Sequence, residues 1–376
     1  MNDCTKSEEN HQINTELSDR PLKEPKTDES SNHVGEGRDT STDDAAIKLT
    51  SKDYYFDSYA HYGIHEEMIK DDVRTQSYLG AIESNREQIE GKVVLDVGCG
   101  TGILSMFCAR NGAAKVIGIE CSAIAIQAQQ IVRANGMSDV ITIIHAKCED
   151  VAELPDGIAE VDVVVSEWMG YFLLYESMLG TVLYCRDKWL KPGGLILPDR
   201  AALKIAAIED EQYRKEKIDF WDDVYGFDMK VIKEIALTEP LIDTVDKTAL
   251  ISDSSTILDL DLNNCTKDDL SFTSTFRLTF AKTETVHALV SYFNCLFSHL
   301  AFPQFFSTGP SYAYTHWKQT IFYLSEPVEV EKGEVIIGSI AVKPNEGNDR
   351  DLDILLQLVF QGRKGDKRMK QSYRLR

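Results

Sequence analysis

From Lys92 onwards, short apolar runs alternate with stretches of helical period, and this alternation narrows the fold more than any other feature of the chain. KVVLDVG reads as a buried strand, TGILSMFCARNG as a helix closing at Gly112, KVIGIE as a second strand, and residues 122–135 as a second helix. VITIIHA and VDVVVSEW supply two further strands. Strands that alternate with helices pair in parallel, because a parallel pair needs a crossover and the helix provides it. The expected core is therefore a Rossmann-like α/β layer with helices on both faces of the sheet. KPGG at 191–194 reads as a turn, and beyond about Asp199 the texture changes. FTSTFRLTF, TIFYLSE, EVIIGSIAVKP and LDILLQLVF alternate with period two, which predicts an antiparallel, barrel-like domain. Residues 209–245 look helical and carry Trp221, Tyr225 and Phe227. No internal repeat is evident.

Three segments follow. Residues 1–50 hold twelve acidic and six basic side chains and almost no aromatics, so they cannot bury enough apolar surface to offset their chain entropy. They are expected to be a disordered acidic tail. Residues 51–199 are expected to form the α/β domain with N-terminal lid helices, and residues 200–376 the antiparallel β-barrel domain with a projecting arm at about 209–245. The net charge of −21 over 376 residues disfavours phosphate backbones and favours basic ligands, so no direct nucleic-acid binding is expected. Acidity serving solubility alone accounts for the charge equally well. None of the eight cysteines forms a C-x-x-C pair, which speaks against zinc or a disulfide framework and for a reducing compartment, the cytoplasm or nucleus. The first residues carry no apolar run, and no stretch approaches the roughly 18 apolar residues of a membrane span.

VLDVGCGTG sets Gly98, Gly100 and Gly102 between the first strand and the first helix, at the carboxyl end of the sheet, where open α/β sheets bind ligands. A dinucleotide fingerprint would place glycine where Ile103 stands, so the spacing suits a ligand without a pyrophosphate. The second strand ends at Glu120, where a carboxylate can accept ribose hydroxyls. The fourth strand runs into SEWMGYFLLYESML, which puts Glu167 and Glu176 near the same ligand. Two carboxylates among Trp168, Met169, Tyr171 and Phe172 are costly if buried unpaired, and a planar guanidinium with five donors would satisfy both. On spacing alone they are as readily two solvated loop residues.

VLDVGCGTG resembles motif I of the seven-strand S-adenosylmethionine-dependent methyltransferases. SEWMGY with YESML looks like the double-glutamate loop of the protein arginine N-methyltransferases, and YTHWKQT at 314–320 like their Thr-His-Trp loop. YYFDSYAHYGIHEEMIKDDVRT is similar to the helix motif with which they cover the cofactor. The likeness runs from about Tyr54 to Arg376. With Met68 and Met178 it is nearest the type I enzymes, which make monomethyl- and asymmetric dimethylarginine.

The resemblance implies S-adenosylmethionine as cofactor and S-adenosylhomocysteine as product. It implies that Arg74 clamps the cofactor carboxylate, and that Phe56, Tyr59, His65 and Met68 form a lid. It further implies that Asp96, Gly98 and Gly100 shape the loop, that Glu120 with Cys121 takes the ribose side, and that Glu149 accepts the adenine amino group. Met178 completes the cofactor set. Catalysis falls to Glu167, Glu176 and a His316–Asp71 pair, with no metal. The stretch from Glu149 to Val161 is longer than the family's common pattern, and AFPQFFSTGPSYAY departs from its wording ahead of His316. Residues 209–245 resemble a dimerisation arm, so a homodimer is expected. Substrates would be basic proteins with glycine-flanked arginines, among them histones and Arg-Gly-rich RNA-binding proteins. A small-molecule methyltransferase would not need the double-glutamate loop and the barrel. A dehydrogenase would need glycine at position 103, and a pseudoenzyme would have lost Glu167, Glu176 or Arg74.

Overall fold

The computed structural model describes residues 61–376; the acidic tail expected at 1–50 and the lid residues Phe56 and Tyr59 lie outside the described residues. Two helices come first, α1 (Tyr62–Lys70) and α2 (Asp72–Glu83). Asp71 separates them. Its backbone is extended, and its Oδ1 accepts the Arg74 amide at 2.9 Å, which satisfies one of the unpaired donors of the first turn of α2.

The α/β layer contains β1 (Val93–Val97), α3 (Ile103–Arg110), β2 (Lys115–Glu120), α4 (Ile124–Ala134), β3 (Ile141–His145), β4 (Val161–Val165), α5 (Leu179–Trp189) and β5 (Leu190–Leu197). All neighbours are parallel, in the order β3-β2-β1-β4-β5. The order reverses between β1 and β4, and this reversal opens a crevice above their carboxyl ends. The central strands β2, β1 and β4 are buried and mostly Val, Ile and Leu, as strands covered on both faces must be, whereas the outer strands β3 and β5 are only partly buried. The described parallel sheet has five strands where the resemblance implied seven. After β5 the chain turns at Asp199 into antiparallel pairing, and the buried Asp199 carboxylate fixes that turn by accepting the Ser298 amide and hydroxyl.

KPGG is not a turn that ends the α/β layer but a bulge within β5. Pairing with β4 jumps from Val161↔Leu190 to Val163↔Leu195, so three extra residues are looped out of the ladder. Both anticipated helices begin or end a residue or two inside the expected bounds. Past α3, Gly112 takes a left-handed φ of 90°, which stops the helix there.

Two antiparallel sheets follow. β6 (Arg200–Ile208), β7 (Leu241–Asp243), β8 (Leu250–Asp261), β10 (Glu284–Phe297), β11 (Gln304–Ser307) and β12 (Gln319–Val330) make the first. β9 (Phe272–Thr279), β13 (Val335–Pro344), β14 (Leu352–Gly362) and β15 (Gly365–Leu375) make the second. The segment 209–245 is helical only in part, in α6 (Glu211–Lys217) and α7 (Lys230–Ala236). Pro240 precludes a continuing helix, and Leu241–Asp243 joins the edge of β12 instead. Tyr225, Phe227 and Val231 on this segment are exposed. One hydrophobic core runs from Leu95 and Val164 through Trp168 and Phe172 to Phe322, Ile340 and Leu356, so the loop after β4 is packed between the parallel and antiparallel layers.

Candidate active site

Gly98, Gly100 and Gly102 all adopt positive φ, between 53° and 85°. At Gly98 the left-handed φ disfavours any side chain, and a Cβ there, 2.5 Å from the Met178 Cε, would also push the end of that methionine aside. His65 is buried over the same loop, its ring 3.4 Å from where a Cβ on Gly100 would stand. Glu120 accepts the Gly100 amide at 2.9 Å through one oxygen and the Ser122 amide at 2.7 Å through the other. Each carboxylate oxygen keeps lone-pair capacity for a second donor such as a ribose hydroxyl. Asp96 is fully buried; Ser105 donates to its Oδ2 at 2.6 Å, and burial pushes its pKa up to about 7. Its Oδ1 is buried without a hydrogen-bond partner. Cys121 lines the pocket, half-buried, its thiol raised to about 11 by burial. Glu149 sits in a 3-10 turn, Cys148–Asp150, that is fastened to α5: the Thr181 hydroxyl donates to its Oε1 at 2.8 Å.

The Arg74 side chain is buried, and its Nε donates to Glu167 Oε2 at 2.9 Å. Its Nη1 donates to the Met68 carbonyl at 3.3 Å, and among the described residues Nη2 has no hydrogen-bond partner, so it can donate to a ligand carboxylate. Asp71, besides capping α2, accepts both the His316 amide (2.8 Å) and the His316 Nδ1 (2.7 Å) through Oδ2. Burial opposes charge on Asp71, yet the hydrogen bonds from His316 and the Arg74 amide outweigh it and hold the carboxyl below its usual range. In the neutral ring, Nδ1 donating to Asp71 would leave the His316 Nε2 as the acceptor nitrogen.

The loop after β4 is wound tightly. Phe172, Leu173 and Glu176 all have left-handed φ, at 50°, 65° and 55°. Gly170 makes this possible, since a Cβ there would stand 1.7 Å from the Tyr175 carbonyl oxygen. Trp317 Nε1 donates to the Met169 carbonyl at 3.0 Å, and the Glu176 amide donates to the Arg350 carbonyl at 3.2 Å. Burial raises the Glu176 carboxyl, against the partial relief of the nearby Arg350 charge.

A single cavity of about 630 Å³ is lined by His65, Met68, Arg74, Gly98, Gly100, Glu120, Cys121, Glu149, Glu167, Glu176 and Met178. Its size is that of a pocket for a nucleoside-sized molecule. The comparisons with known proteins decide the family. The profile described as "Methyltransferase domain" matches residues 94–194, and "Arginine methyltransferase oligomerization subdomain" matches residues 199–363. Protein arginine N-methyltransferase 1 of Schizosaccharomyces pombe is 56% identical over 315 residues, covering 84% of this chain and 92% of that one.

This chain belongs to the protein arginine methyltransferase family.

Other relatives agree. Protein arginine N-methyltransferase 1 of Chlamydomonas reinhardtii is 51% identical over 87% of this chain and 94% of its own length. Among solved structures, the Trypanosoma brucei PRMT1 enzyme–prozyme heterotetrameric complex with AdoHcy superposes with a TM-score of 0.82 at 45% identity, covering 85% of this chain and all of that one. Arabidopsis thaliana protein arginine methyltransferase 10, in an open conformation, gives 0.78 at 27% identity, over 86% of this chain and all of its own. The protein is thus an S-adenosylmethionine-dependent protein arginine N-methyltransferase of type I, and it belongs to an oligomerising family.

Of the site residues singled out from the sequence that lie within 61–376, eleven line this cavity, whereas Asp71, Asp96 and His316 do not. Asp96 is beneath the glycine loop, and the His316–Asp71 pair reaches the site through α2. Sequence reasoning missed Thr181, Arg350 and the turn carrying Asp349. Thr181 lies three residues after Met178, so helical spacing would have found it. Arg350 lies in a turn between β13 and β14, and no local pattern marks it as a neighbour of Glu176.

Proposed function

We propose that Glu167 and Glu176 grip the substrate guanidinium and leave its third nitrogen free to accept the methyl group. The observation that supports this is the sharing of one cavity wall by both carboxylates with the cofactor residues Gly98, Glu120 and Arg74. Glu167 already accepts an N–H of a guanidinium, that of Arg74. Glu176, raised by burial, gains most from a cation beside it.

The cofactor fits the residues present. Arg74 Nη2 would hold its carboxylate, the free capacity of Glu120 its ribose hydroxyls, and Glu149, oriented by Thr181, its adenine amino group. When bound, S-adenosylmethionine supplies an already activated methyl group, so the chain's task is positioning and electrostatics. Glu167 and Glu176 draw positive charge towards the nitrogens they bond, and the remaining nitrogen regains lone-pair character. A guanidinium pKa above ~12 makes prior deprotonation expensive, so proton loss accompanies or follows transfer. His316 Nε2, backed by Asp71, receives that proton.

The substrates we infer are basic proteins with glycine-flanked arginines, histones and Arg-Gly-rich RNA-binding proteins among them, which suit a chain of net charge −21. The working form we infer is a homodimer, with exposed Tyr225, Phe227 and Val231 seeking a partner surface. The test is incubation with methyl-labelled S-adenosylmethionine and an Arg-Gly-rich peptide, then acid hydrolysis. Label in monomethyl- and asymmetric dimethylarginine is expected; label confined to free small molecules would refute the assignment.

A further inference from the structure

The second antiparallel sheet covers the core with one face only. Along β9, β13, β14 and β15, Phe276, Leu278, Ile336, Ile340, Leu356 and Phe360 turn inward, so the residues between them turn outward. The register lines the outward residues up in rows that cross all four strands. One row reads Arg277, Ile337, Val359, Arg368. All four are exposed, and the two aliphatic side chains at its centre are 57% and 42% exposed. The next row ends at Lys370, two residues along β15 from Arg368 and on the same face. Lys367 and Arg374 of that strand are paired with Glu326 and Asp353, whereas among the described residues no carboxylate pairs with Arg277, Arg368 or Lys370.

The sign of this face opposes that of the chain. Its outward side chains include five basic ones, Arg277, Lys343, Arg368, Lys370 and Arg374, against two acidic ones, Asp353 and Asp366, on a chain of net charge −21. Acidity that served solubility alone gives no reason to gather cations on one face. The face is also concave: a hollow of about 830 Å³ opens on it, lined by Lys343, Lys370, Arg374 and Arg376 together with Asp353 and Glu239.

A second copy docked about a two-fold axis would set these arginines against each other. A nucleic-acid strand would find no aromatic ring on these rows for its bases, and two aliphatic side chains under its phosphates. Exposed cations around an aliphatic centre fit an acidic polypeptide that carries an apolar side chain. Arg277 and Arg368 stand three inter-strand steps apart, about 14 Å at the usual strand spacing. In an extended segment, acids four residues apart span the same distance, and the residue midway points to the same side.

We propose that this face docks an acidic segment of a partner protein, with carboxylates on Arg277 and Arg368 and an aliphatic side chain between them on Ile337 and Val359. The face begins at the turn that carries Arg350 and runs about 20 Å away from it, along β13 from Lys343 to Ile337. A protein held there is tethered beside the catalytic cavity without entering it.

The test uses the full chain and a phage-displayed library of random dodecapeptides, selected on the wild type and counter-selected on Arg277→Glu combined with Arg368→Glu. Enriched peptides should place Asp or Glu two residues to either side of Ile, Leu or Val. A representative peptide should bind the wild type saturably in fluorescence anisotropy, and more weakly as salt rises. Charge reversal should raise its Kd at least about tenfold, the effect of two exposed ion pairs turned repulsive. Ile337→Ser combined with Val359→Ser should raise it about threefold. Both double variants should keep wild-type kinetics on an Arg-Gly peptide. Should charge reversal unfold the chain, Arg277→Gln with Arg368→Gln takes its place, with a rise of about fivefold. No enrichment over the charge-altered chain, or enriched peptides without acids, would overturn the proposal. So would tighter binding of a single-stranded oligonucleotide to the same residues. A changed sedimentation coefficient in the charge-altered chain would overturn it too, since the face would then be a contact between subunits.

Discussion

The two glutamates sit in different surroundings, and charge-neutral substitutions should separate them. Among the described residues Glu176 makes no hydrogen bond or ion pair with Arg74; its amide is held by the Arg350 carbonyl, and it lines the cavity. Glu176→Gln removes one charge-assisted hydrogen bond to the substrate, about 1.5–3 kcal/mol, which corresponds to a fall in turnover of roughly ten- to 150-fold. Cofactor affinity should stay within about twofold of wild type. Glu167 is different. It pairs with Arg74 at 2.9 Å, and the two side chains are 8% and 7% exposed. Removing one charge from a buried pair strands the other, at a cost of about 3–5 kcal/mol when the partner is deleted outright and less for the isosteric amide. Glu167→Gln should therefore lower turnover, weaken cofactor binding through a displaced Arg74, and lower the melting temperature together. Isothermal titration with S-adenosylhomocysteine, steady-state transfer to an Arg-Gly peptide and differential scanning calorimetry supply the three readouts. If Glu176→Gln lost cofactor affinity by the same factor as turnover, or if Glu167→Gln left cofactor affinity untouched, the division of labour argued from the Arg74 pair would be wrong.

Burial raises Glu176, so it takes up a proton at a higher pH than an ordinary glutamate at 4.5. The rate should therefore decline on acidification through a pH above that value, and this limb of the profile should vanish in Glu176→Gln. Asp71 is shifted the other way, so its contribution to stability is present above its unfolded value of 3.8 and is lost only as pH falls through the depressed folded value. At neutral pH Asp71→Asn should cost about 2 kcal/mol and depress turnover, read by denaturant melts and transfer assays. Gly170→Ala must move the Tyr175 carbonyl that lies 1.7 Å from the new methyl, so activity should vanish while circular dichroism keeps the native signal. Phe227→Asp, on the exposed arm segment, should shift sedimentation towards monomer; an unchanged oligomer would remove Phe227 from the interface.

Much of the cofactor side was legible because it is local. The glycine loop, Glu120 at a strand end and Met178 at a helix start are each set by a few neighbouring residues. Asp71 and His316 are far apart in sequence, and only the likeness to a family joined them. What stayed hidden depends on long-range packing. Nothing near Arg74 says that its Nε will meet Glu167, and nothing near Arg350 says that its carbonyl will cap the Glu176 amide. The KPGG bulge was misread for the same reason: proline and two glycines signal a turn locally, but the register with β4 on either side keeps them in the strand.

The dependence of Glu176 on distant contacts also explains why the α/β layer is joined to two antiparallel sheets. Three non-glycine residues between β4 and α5 hold left-handed backbone, and such conformations persist only where the surroundings over-determine them. Helix α2 contributes the Tyr78 hydroxyl, which donates to the Ser166 carbonyl at 2.9 Å, and the α/β layer the Ser166 hydroxyl, which donates to the Val97 carbonyl at 2.7 Å. These fix the start of the loop, at Glu167. The antiparallel side holds the loop just after that start, through Trp317 on the Met169 carbonyl, and holds its far end through the Arg350 carbonyl on the Glu176 amide. Asp71 ties the same Thr-His-Trp loop back to the helix that carries Arg74. One glutamate is thus positioned by the half that holds the cofactor, the other by the half that presents the substrate surface, and the clamp exists only where the two halves are packed together.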